Sequence, residues 1–386
     1  MLVIRKILTL VLMLRVCLNS AFTFLPRNGV INGLPIHSSL RPVTSAHRRG
    51  LTSVLPGASS LASSPFTATE VEKYSNTNNR DDQILSLLSS CGGVKLTLIS
   101  IRNLMNDLSL AQNLSPLSMR GLGSSFSCGA MLASGMDESQ IFQITVNGGG
   151  PMRGIVSISD SEGGVKGYVG NPAVGELPLK DAIGEGSINI VKNHPDWPRP
   201  YNGITSIVTG DIAQDVGVYL AQSEQRSCAI HADVRLNGLL ITGAGGYLVE
   251  KLPDCEEGLA ERIEENLEIL GKEMGGEGEK DSESDWFMNS LVSGTDLLTI
   301  ASQITSGSPF AVLDSKTPSS RSDCCSSERL IRSLSLLPES EIDDIIKVGE
   351  NVEAKCEFCG TEYKLTPEEV RDEIKKAKEK RESGGE

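Results

Sequence analysis

The stretch Ile141–Val169 reads IFQITVNGGGPMRGIVSISDSEGGVKGYV and decides the fold class. Apolar and polar residues alternate through Ile141–Val146, and the glycines and proline of Gly148–Pro151 end that run in a turn. Met152–Ser159 and Val165–Val169 repeat the strand pattern on either side of a second glycine turn. Strands joined by short turns favour an antiparallel meander, so this part of the chain is predicted to form a β-sheet.

Helix patterns lie on both sides of the meander. Ser115-Pro116 places a hydroxyl cap and a first-turn proline before a helix that is predicted to run to about Ser134. Asp211 begins a second helix with apolar residues at helical spacing, and Ala232–Leu240 returns to strand alternation. We therefore expect an α+β protein with a mixed α/β N-terminal core domain, in which helices pack on a β-sheet.

The pattern changes after Pro253. Glu256–Met274 is predicted as an amphipathic helix, and Gly275–Asp285 as a flexible acidic segment that is too polar to bury a core. Trp286–Ile304 is predicted as one apolar helix, and Thr305–Ser322 as a largely polar stretch. These segments together indicate a flexible helical and acidic linker over residues 253–322.

The first 69 residues contain seven basic and no acidic residues, so the rest of the chain has a net charge of −21. Residues 1–21 have the basic start, short apolar run and small residues of a secretory signal. Residues 22–70 are rich in Ser, Thr, Pro and Arg, as transit peptides are. The join at Ala21-Phe22 resembles the bipartite leader of proteins sent to secondary plastids. We expect a plastid stromal protein; secretion, the cytoplasm and mitochondrial import are alternatives.

Several function classes are poorly supported. The glycine run Gly243–Leu248 is followed by a strand pattern, so no helix N-terminus is available for a nucleotide phosphate. His194 and His231 lie near no nucleophile motif, which disfavours a hydrolase. The net charge disfavours nucleic-acid binding despite the basic tail Lys375–Arg381, and the mature chain contains no predicted membrane span.

The cysteines near the C-terminus form the strongest candidate site. Cys324-Cys325 and the C-x-x-C motif Cys356–Cys359 provide two pairs of thiols from two separate segments, which is what a tetrahedral Zn²⁺ site requires. The same thiols could instead oxidise as a redox sensor or form structural disulfides. Zinc is the inference that the spacing favours.

The mature chain resembles the heat-shock protein 33 family of redox-regulated holdase chaperones over about residues 82–370. The matching sequence motifs occur in the same order as in the family: Ile144–Pro151, Gly167–Pro172, Tyr201–Gly203, Val208–Ala213, Ser223–Gln225, Gly245–Val249, Cys325–Arg329 and Cys356–Cys359. The resemblance implies a core domain at 81–252, the linker at 253–322, a small zinc-binding redox-switch domain at 323–371 and a charged tail at 372–386.

The resemblance also implies a function. In the family, four cysteines hold zinc when reduced; on oxidation they form two disulfides, release zinc, unfold the linker and allow binding of unfolding client proteins. We therefore expect an ATP-independent, non-enzymatic chaperone that acts under oxidative stress and dimerises when oxidised. The expected metal and disulfide residues are Cys324, Cys325, Cys356 and Cys359.

This chain departs from the family's C-x-C at the first cysteine pair. When Cys325 is aligned with the family's second cysteine, Asp323 stands in the first position and Cys324 in the spacer. Either Asp323 supplies an oxygen ligand or Cys324 takes the place of the fourth thiolate. Two other functions remain open: a thiol–disulfide oxidoreductase that uses Cys356 and Cys359, and a zinc-stabilised binding module without a switch.

Overall fold

The computed structural model describes residues 81–253, 255–273, 285–320 and 351–383, together with residues 325, 326, 338, 340, 342, 343 and 347. The expected leader and most of the expected acidic segment lie outside the described residues. Among the described helices, none combines the length and the apolar character that crossing a bilayer would need.

The described chain forms helices and strands in a mixed order. The strands are β1 (Gln83–Ser89), β2 (Val94–Ser100), β3 (Ile141–Gly148), β4 (Ile155–Asp160), β5 (Gly164–Val169), β6 (Gly186–Asn193), β7 (Tyr201–Ser206), β8 (Cys228–Asn237), β9 (Leu240–Lys251), β10 (Phe310–Lys316), β11 (Ser319–Ser320), β12 (Val352–Lys355) and β13 (Glu362–Leu365). The helices are α1 (Arg102–Gln112), α2 (Pro116–Ala133), α3 (Leu179–Ile183), α4 (Ile212–Ser223), α5 (Leu259–Glu273), α6 (Trp286–Ser293), α7 (Leu297–Thr305) and α8 (Pro367–Ser383).

The described strands form two large sheets, and α2 lies between them. The first sheet has the strand order β10-β1-β2-β9-β8, and the second has the order β11-β5-β4-β3-β6-β7. The predicted meander is confirmed, because β3, β4 and β5 pair as antiparallel neighbours. The α+β class predicted from the sequence is therefore correct.

Helix α2 is buried on all sides. Ser115 caps it by accepting a hydrogen bond from the Ser118 N–H at 3.3 Å, as the sequence predicts. Within the helix only Pro116 and Arg120 are not buried. A Cβ added to Gly123 would overlap the side chain of Val234 on β8, so the missing side chain lets the helix approach the first sheet closely.

The segment after the core covers the outer face of the first sheet. Leu259 and Ile263 of α5 pack with α6, α7 and the apolar side chains of β1 and β2 in a second hydrophobic core. The single helix predicted over residues 286–304 is instead two, because Gly294 adopts the left-handed conformation and Asp296 caps a new helix. The polar stretch predicted at 305–322 contains β10, which pairs antiparallel with β1.

Candidate functional site

The C-terminal C-x-x-C motif lies in the turn of a β-hairpin. Strands β12 and β13 pair antiparallel, with Lys355 opposite Glu362 at the closed end. Cys356 donates its backbone N–H to the Thr361 carbonyl at 2.9 Å, and Gly360 donates its N–H to the Cys356 carbonyl at 2.8 Å. Gly360 has a φ of +72°, a conformation that favours glycine. The hairpin thus holds Cys356 and Cys359 in one tight turn.

Cys325 joins these two cysteines from a separate segment. The sulfur atoms of Cys325, Cys356 and Cys359 all lie within 4.8 Å of one another, and those of Cys325 and Cys356 are 3.5 Å apart. All three side chains are partly buried. The structure therefore brings together three of the four predicted thiols, while Cys324 and the alternative ligand Asp323 lie outside the described residues.

The three thiols differ in acidity. Burial raises the pKa of Cys325, and the neighbouring Cys356 and Cys359 sulfurs raise it further. Burial also raises the pKa of Cys356. For Cys359 the effect of burial is outweighed by the hydroxyl and backbone N–H of Thr361, which lower its pKa. Without a cation, three negative charges at this spacing would repel one another strongly.

The geometry of the thiols fits a zinc ion. At a Zn–S distance of about 2.3 Å, thiolates around a tetrahedral ion lie roughly 3.8 Å apart. The 3.5 Å between the sulfurs of Cys325 and Cys356 is close to that value. All three sulfurs lie within 4.8 Å of one another, so a small contraction of the cluster would bring every pair to the zinc spacing. These residues could hold a metal with three thiolates and one further ligand.

The hairpin turn docks against the core domain through Phe358. This side chain is buried, and its ring meets that of Tyr168 on β5 edge to face, with a centroid distance of 5.2 Å. Lys166 places its Nζ 5.7 Å from the Phe358 ring centroid. The turn between Cys356 and Cys359 is therefore an apolar anchor for the C-terminal segment.

Gln112 at the end of α1 strengthens this docking contact. Its buried side-chain amide donates hydrogen bonds to the carbonyl of Phe358 at 2.8 Å and to the carbonyl of Gly167 at 2.9 Å. A Cβ added to Gly360 would overlap the Ala111 carbonyl, so the turn lies directly on the helix end. The sequence gives no signal for Gln112, since a polar residue at a helix end is usually exposed.

A second junction fixes the linker helices to the first sheet. Asp285 caps α6 by accepting hydrogen bonds from the backbone N–H groups of Phe287 and Met288, at 3.1 and 3.2 Å. Its other carboxylate oxygen lies 2.7 Å from Nε2 of His231 on β8. The rings of Tyr247 and Phe287 pack against the imidazole, the first tilted and the second edge to face. The N-terminal end of α6 is thus held against the first sheet by a partly buried charge pair and by aromatic packing.

The charge pair changes the acidity of both partners. Burial by itself lowers the pKa of His231, but the contact with Asp285 outweighs it and raises the pKa above its usual value. Burial raises the pKa of Asp285, and the contact with His231 outweighs it and lowers the pKa.

Comparison with known proteins identifies the family. The family model described as Hsp33 protein matches residues 82–366. The 33 kDa chaperonin of Clostridium novyi (strain NT) is 28% identical over 304 residues, covering 76% of this chain and 98% of the relative. That of Acaryochloris marina (strain MBIC 11017) is also 28% identical, over 300 residues, covering 75% of this chain and 95% of the relative. A crystal structure of a 33 kDa chaperonin from Thermotoga maritima aligns with a TM-score of 0.68 and 25% identity, covering 77% of this chain and 99% of that one. This chain belongs to the Hsp33 protein family.

Proposed function

We propose that this chain is a molecular chaperone whose binding of unfolding proteins is switched on by oxidation of its C-terminal thiols. The chaperone assignment follows from the family. The observation that carries the switch is the thiol cluster, in which Cys325, Cys356 and Cys359 lie within 4.8 Å of one another next to a docking anchor, Phe358.

In the reduced state, Cys325, Cys356 and Cys359 would hold Zn²⁺ together with Cys324 or Asp323. The ion would supply the positive charge that keeps several thiolates at short range. The hairpin then presents Phe358 to Tyr168 and Gln112, and the C-terminal segment stays docked on the core domain.

Oxidation would remove this arrangement. When peroxide oxidises two thiols to a disulfide, two S–H bonds and the O–O bond break and one S–S bond forms. The two thiols together give two electrons and two protons to the peroxide, which leaves as two molecules of water. A disulfide cannot act as two thiolate ligands, so the metal site is lost. The small hairpin has little apolar core of its own, and we infer that its docked form is lost with the metal.

Undocking would uncover apolar surface for client proteins. Phe358 and Tyr168 lose their mutual cover first. The linker helices bury a larger apolar surface, with Trp286, Phe287 and Met288 packed against the first sheet. Their exposure would give unfolding chains a binding surface without any nucleotide cycle or catalytic step.

Aggregation assays test the switch. A heat-unfolded client is mixed with the full chain, either reduced and zinc-loaded or treated with hydrogen peroxide. We expect strong suppression of aggregation only after peroxide, and Cys356→Ser is expected to abolish the difference between the states. Cys228→Ser is the matched control, because Cys228 is a partly buried thiol on β8 outside the cluster. Equal suppression by both states would contradict the switch.

An oxidoreductase is the weaker alternative. A redox-active C-x-x-C usually opens a helix, where the helix dipole lowers the pKa of the first thiol. Here the motif joins two strands, and the pKa of Cys356 is raised by burial. Catalytic turnover in an insulin-reduction assay would favour the oxidoreductase, and we expect none above that of Cys356→Ser.

We also propose a plastid location and dimerisation on oxidation. The leader at residues 1–70, whose first 69 residues contain no Asp or Glu, supports the first, and a fusion of these residues to a fluorescent protein in an alga with secondary plastids tests it. Family resemblance supports the second, and light scattering of reduced and oxidised chains tests it. The division into core, linker and zinc domain is tested by limited proteolysis of the same two states.

A further inference from the structure

Two thiols outside the C-terminal cluster lie close together where the linker leaves the core domain. Cys91 is exposed in the turn between β1 and β2. Its sulfur lies 3.3 Å from the Ser89 hydroxyl, which in turn accepts the Val94 N–H at 2.9 Å. Gly92 has a φ of +77° and donates its N–H to the Ser89 carbonyl at 2.7 Å. The turn therefore holds the Cys91 side chain in a defined position at the surface.

Cys255 lies against the same turn. The Leu252 N–H donates to the Gly93 carbonyl at 2.8 Å, and the Cys255 N–H donates to the Leu252 carbonyl at 3.1 Å. A Cβ added to Gly93 would overlap the Cα of Cys255, so the two backbones touch. The chain that leads into α5 is thus packed on the β1–β2 turn with no side chain between them.

The thiol of Cys91 lies near the peptide group that follows Cys255. The backbone N–H of Glu256, on the nitrogen that directly follows the Cys255 carbonyl carbon, contributes to lowering the pKa of Cys91. The Cys255 thiol instead lies 3.5 Å from the Glu256 carbonyl. Rotation about the Cα–Cβ bond of Cys255 swings its sulfur around a backbone that already touches the β1–β2 turn at Gly93. Disulfides require Cα atoms about 4.4–6.8 Å apart, a separation that this backbone contact makes accessible.

We propose that Cys91 and Cys255 form a disulfide on exposure to peroxide, a covalent link between the β1–β2 turn and the start of the linker. The sulfur of Cys91 attacks one peroxide oxygen, the O–O bond breaks, and a sulfenic acid and one water result. The sulfur of Cys255 then attacks the sulfenic sulfur, the S–O bond breaks, and the second water leaves. Two thiols lose two electrons in total, and the peroxide gains them.

The surroundings favour Cys91 as the first thiol to react. Hydrogen bonds from the Ser89 hydroxyl and the Gly93 N–H lower the pKa of Cys91, and its side chain is exposed to oxidant. Cys128, by contrast, is fully buried in α2, and burial raises the pKa of Cys228 to about 11. Reactivity of a thiol follows its thiolate fraction and its access to solvent.

The disulfide would limit how far the linker opens. The same oxidant that acts on the C-terminal thiols would fix the chain at residue 255, four residues before α5 begins at Leu259. Unfolding that starts from the C-terminal end would then stop at this link. The β1–β2 turn of the core domain would stay attached to residue 255, while the linker after that residue is free to bind client proteins.

Peptide mapping of the full zinc-loaded chain tests the link. The protein is treated with hydrogen peroxide, quenched in acid, alkylated and digested with trypsin without reductant. Cleavage after Arg80, Lys95, Lys251 and Arg262 gives peptides 81–95 and 252–262, each with one cysteine. We expect a joined species two hydrogens lighter than the sum of the two peptides, with alkylation lost equally at both cysteines.

Variants decide between this link and random oxidation. Cys91→Ser and Cys255→Ser should each abolish the joined species, and Cys228→Ser should leave it unchanged. It should also persist in Cys356→Ser, which separates it from the proposed switch, and its yield should not depend on protein concentration. Full alkylation of Cys91 and Cys255 in chains that have already lost their free C-terminal thiols would overturn the proposal.

Discussion

Replacing Phe358 by alanine should activate the chaperone without any oxidant. Phe358 ligates nothing, yet its buried ring is the apolar part of the contact between the cysteine turn and the core domain. Its removal should therefore undock the C-terminal segment while the thiols of Cys325, Cys356 and Cys359 remain intact. This variant separates loss of the docking contact from loss of the proposed zinc ion.

The magnitude follows from the contact. Burial of a phenylalanine side chain contributes about 1.5–3 kcal/mol, and an edge-to-face pair adds about 0.5–1.5 kcal/mol. Relaxation of the turn recovers part of this stabilisation. We therefore expect a loss of about 2–3 kcal/mol in docking free energy, or a roughly 30- to 150-fold shift towards the undocked form. The hydrogen bonds from Gln112 to Phe358 and Gly167 would then open to solvent.

Three measurements on the reduced, zinc-loaded chain check this prediction. Zinc content should stay at the parent value, amide hydrogen exchange should rise at the end of α1 and in β5, and suppression of client aggregation should increase. Phe358→Leu is the matched control, since it keeps most of the apolar burial and loses only the aromatic pairing. If hydrogen exchange shows that Phe358→Ala is undocked but the variant does not suppress client aggregation, the idea that docking holds the chaperone inactive is refuted.

Three further predictions concern other parts of the molecule. His231→Gln should lower Tm most at about pH 5–6. The pair with Asp285 stabilises the fold fully only while the histidine is protonated and the carboxylate is ionised. Its contribution is therefore lost as the pH rises through the raised pKa of His231, and also as the pH falls through the lowered pKa of Asp285. Equal losses of Tm at pH 5.5 and about pH 9 would contradict this. Cys325→Ser should weaken zinc binding at least about 10-fold and leave the circular dichroism of the core unchanged, as titration with a chelator can measure against Cys228→Ser. Gly123→Ala should destabilise the core by about 1–3 kcal/mol in urea unfolding, because its Cβ would overlap Val234; a change below about 0.5 kcal/mol would be inconsistent with the close helix–sheet contact.

Local signals in the sequence predicted local structure well. The Ser115-Pro116 cap, the Asp211 cap and the glycine turns of the meander correspond to elements with those ends. Spacing alone also predicted the thiol cluster, because a C-x-x-C motif brings its own thiols together and Cys324-Cys325 was expected to join it from a separate segment. The distance itself needed the fold, in which the sulfur of Cys325 lies 3.5 Å from that of Cys356.

The contacts that sequence reasoning missed all join distant parts of the chain. Strand β10 completes the first sheet by pairing with β1, more than two hundred residues earlier, and its short run gives a weak strand pattern. Gln112 and His231 have ordinary sequence surroundings, and only tertiary packing gives each its partner. Propensity and periodicity report the near neighbours of a residue, whereas these roles depend on which surfaces meet.

The second sheet offers a physical route from the cysteine turn to the linker. Phe358 docks on β5, and the short strand β11 pairs with the same strand, Ser319 opposite Gly164 and Ser320 opposite Val165. Strand β11 follows β10, the edge strand that pairs with β1 in the first sheet, and Phe310 of β10 packs with the linker helices in the second hydrophobic core. The parallel pairing of β11 with β5 involves two residues with exposed side chains, so it is weaker than the antiparallel pairing of the seven-residue strand β10 with β1.

This arrangement predicts an order of release after oxidation. The amides of β11 should lose protection from hydrogen exchange together with those around Phe358, and those of β10 should follow more slowly, because β10 shares a longer ladder with β1. Exchange at residues 310–320 with time after peroxide measures the order. Loss of β10 before β11 would mean that opening starts at the linker helices instead, with the cysteine turn following. In this order of release, the short pairing on β5 links the proposed oxidation of the C-terminal thiols to exposure of the apolar surface of the linker.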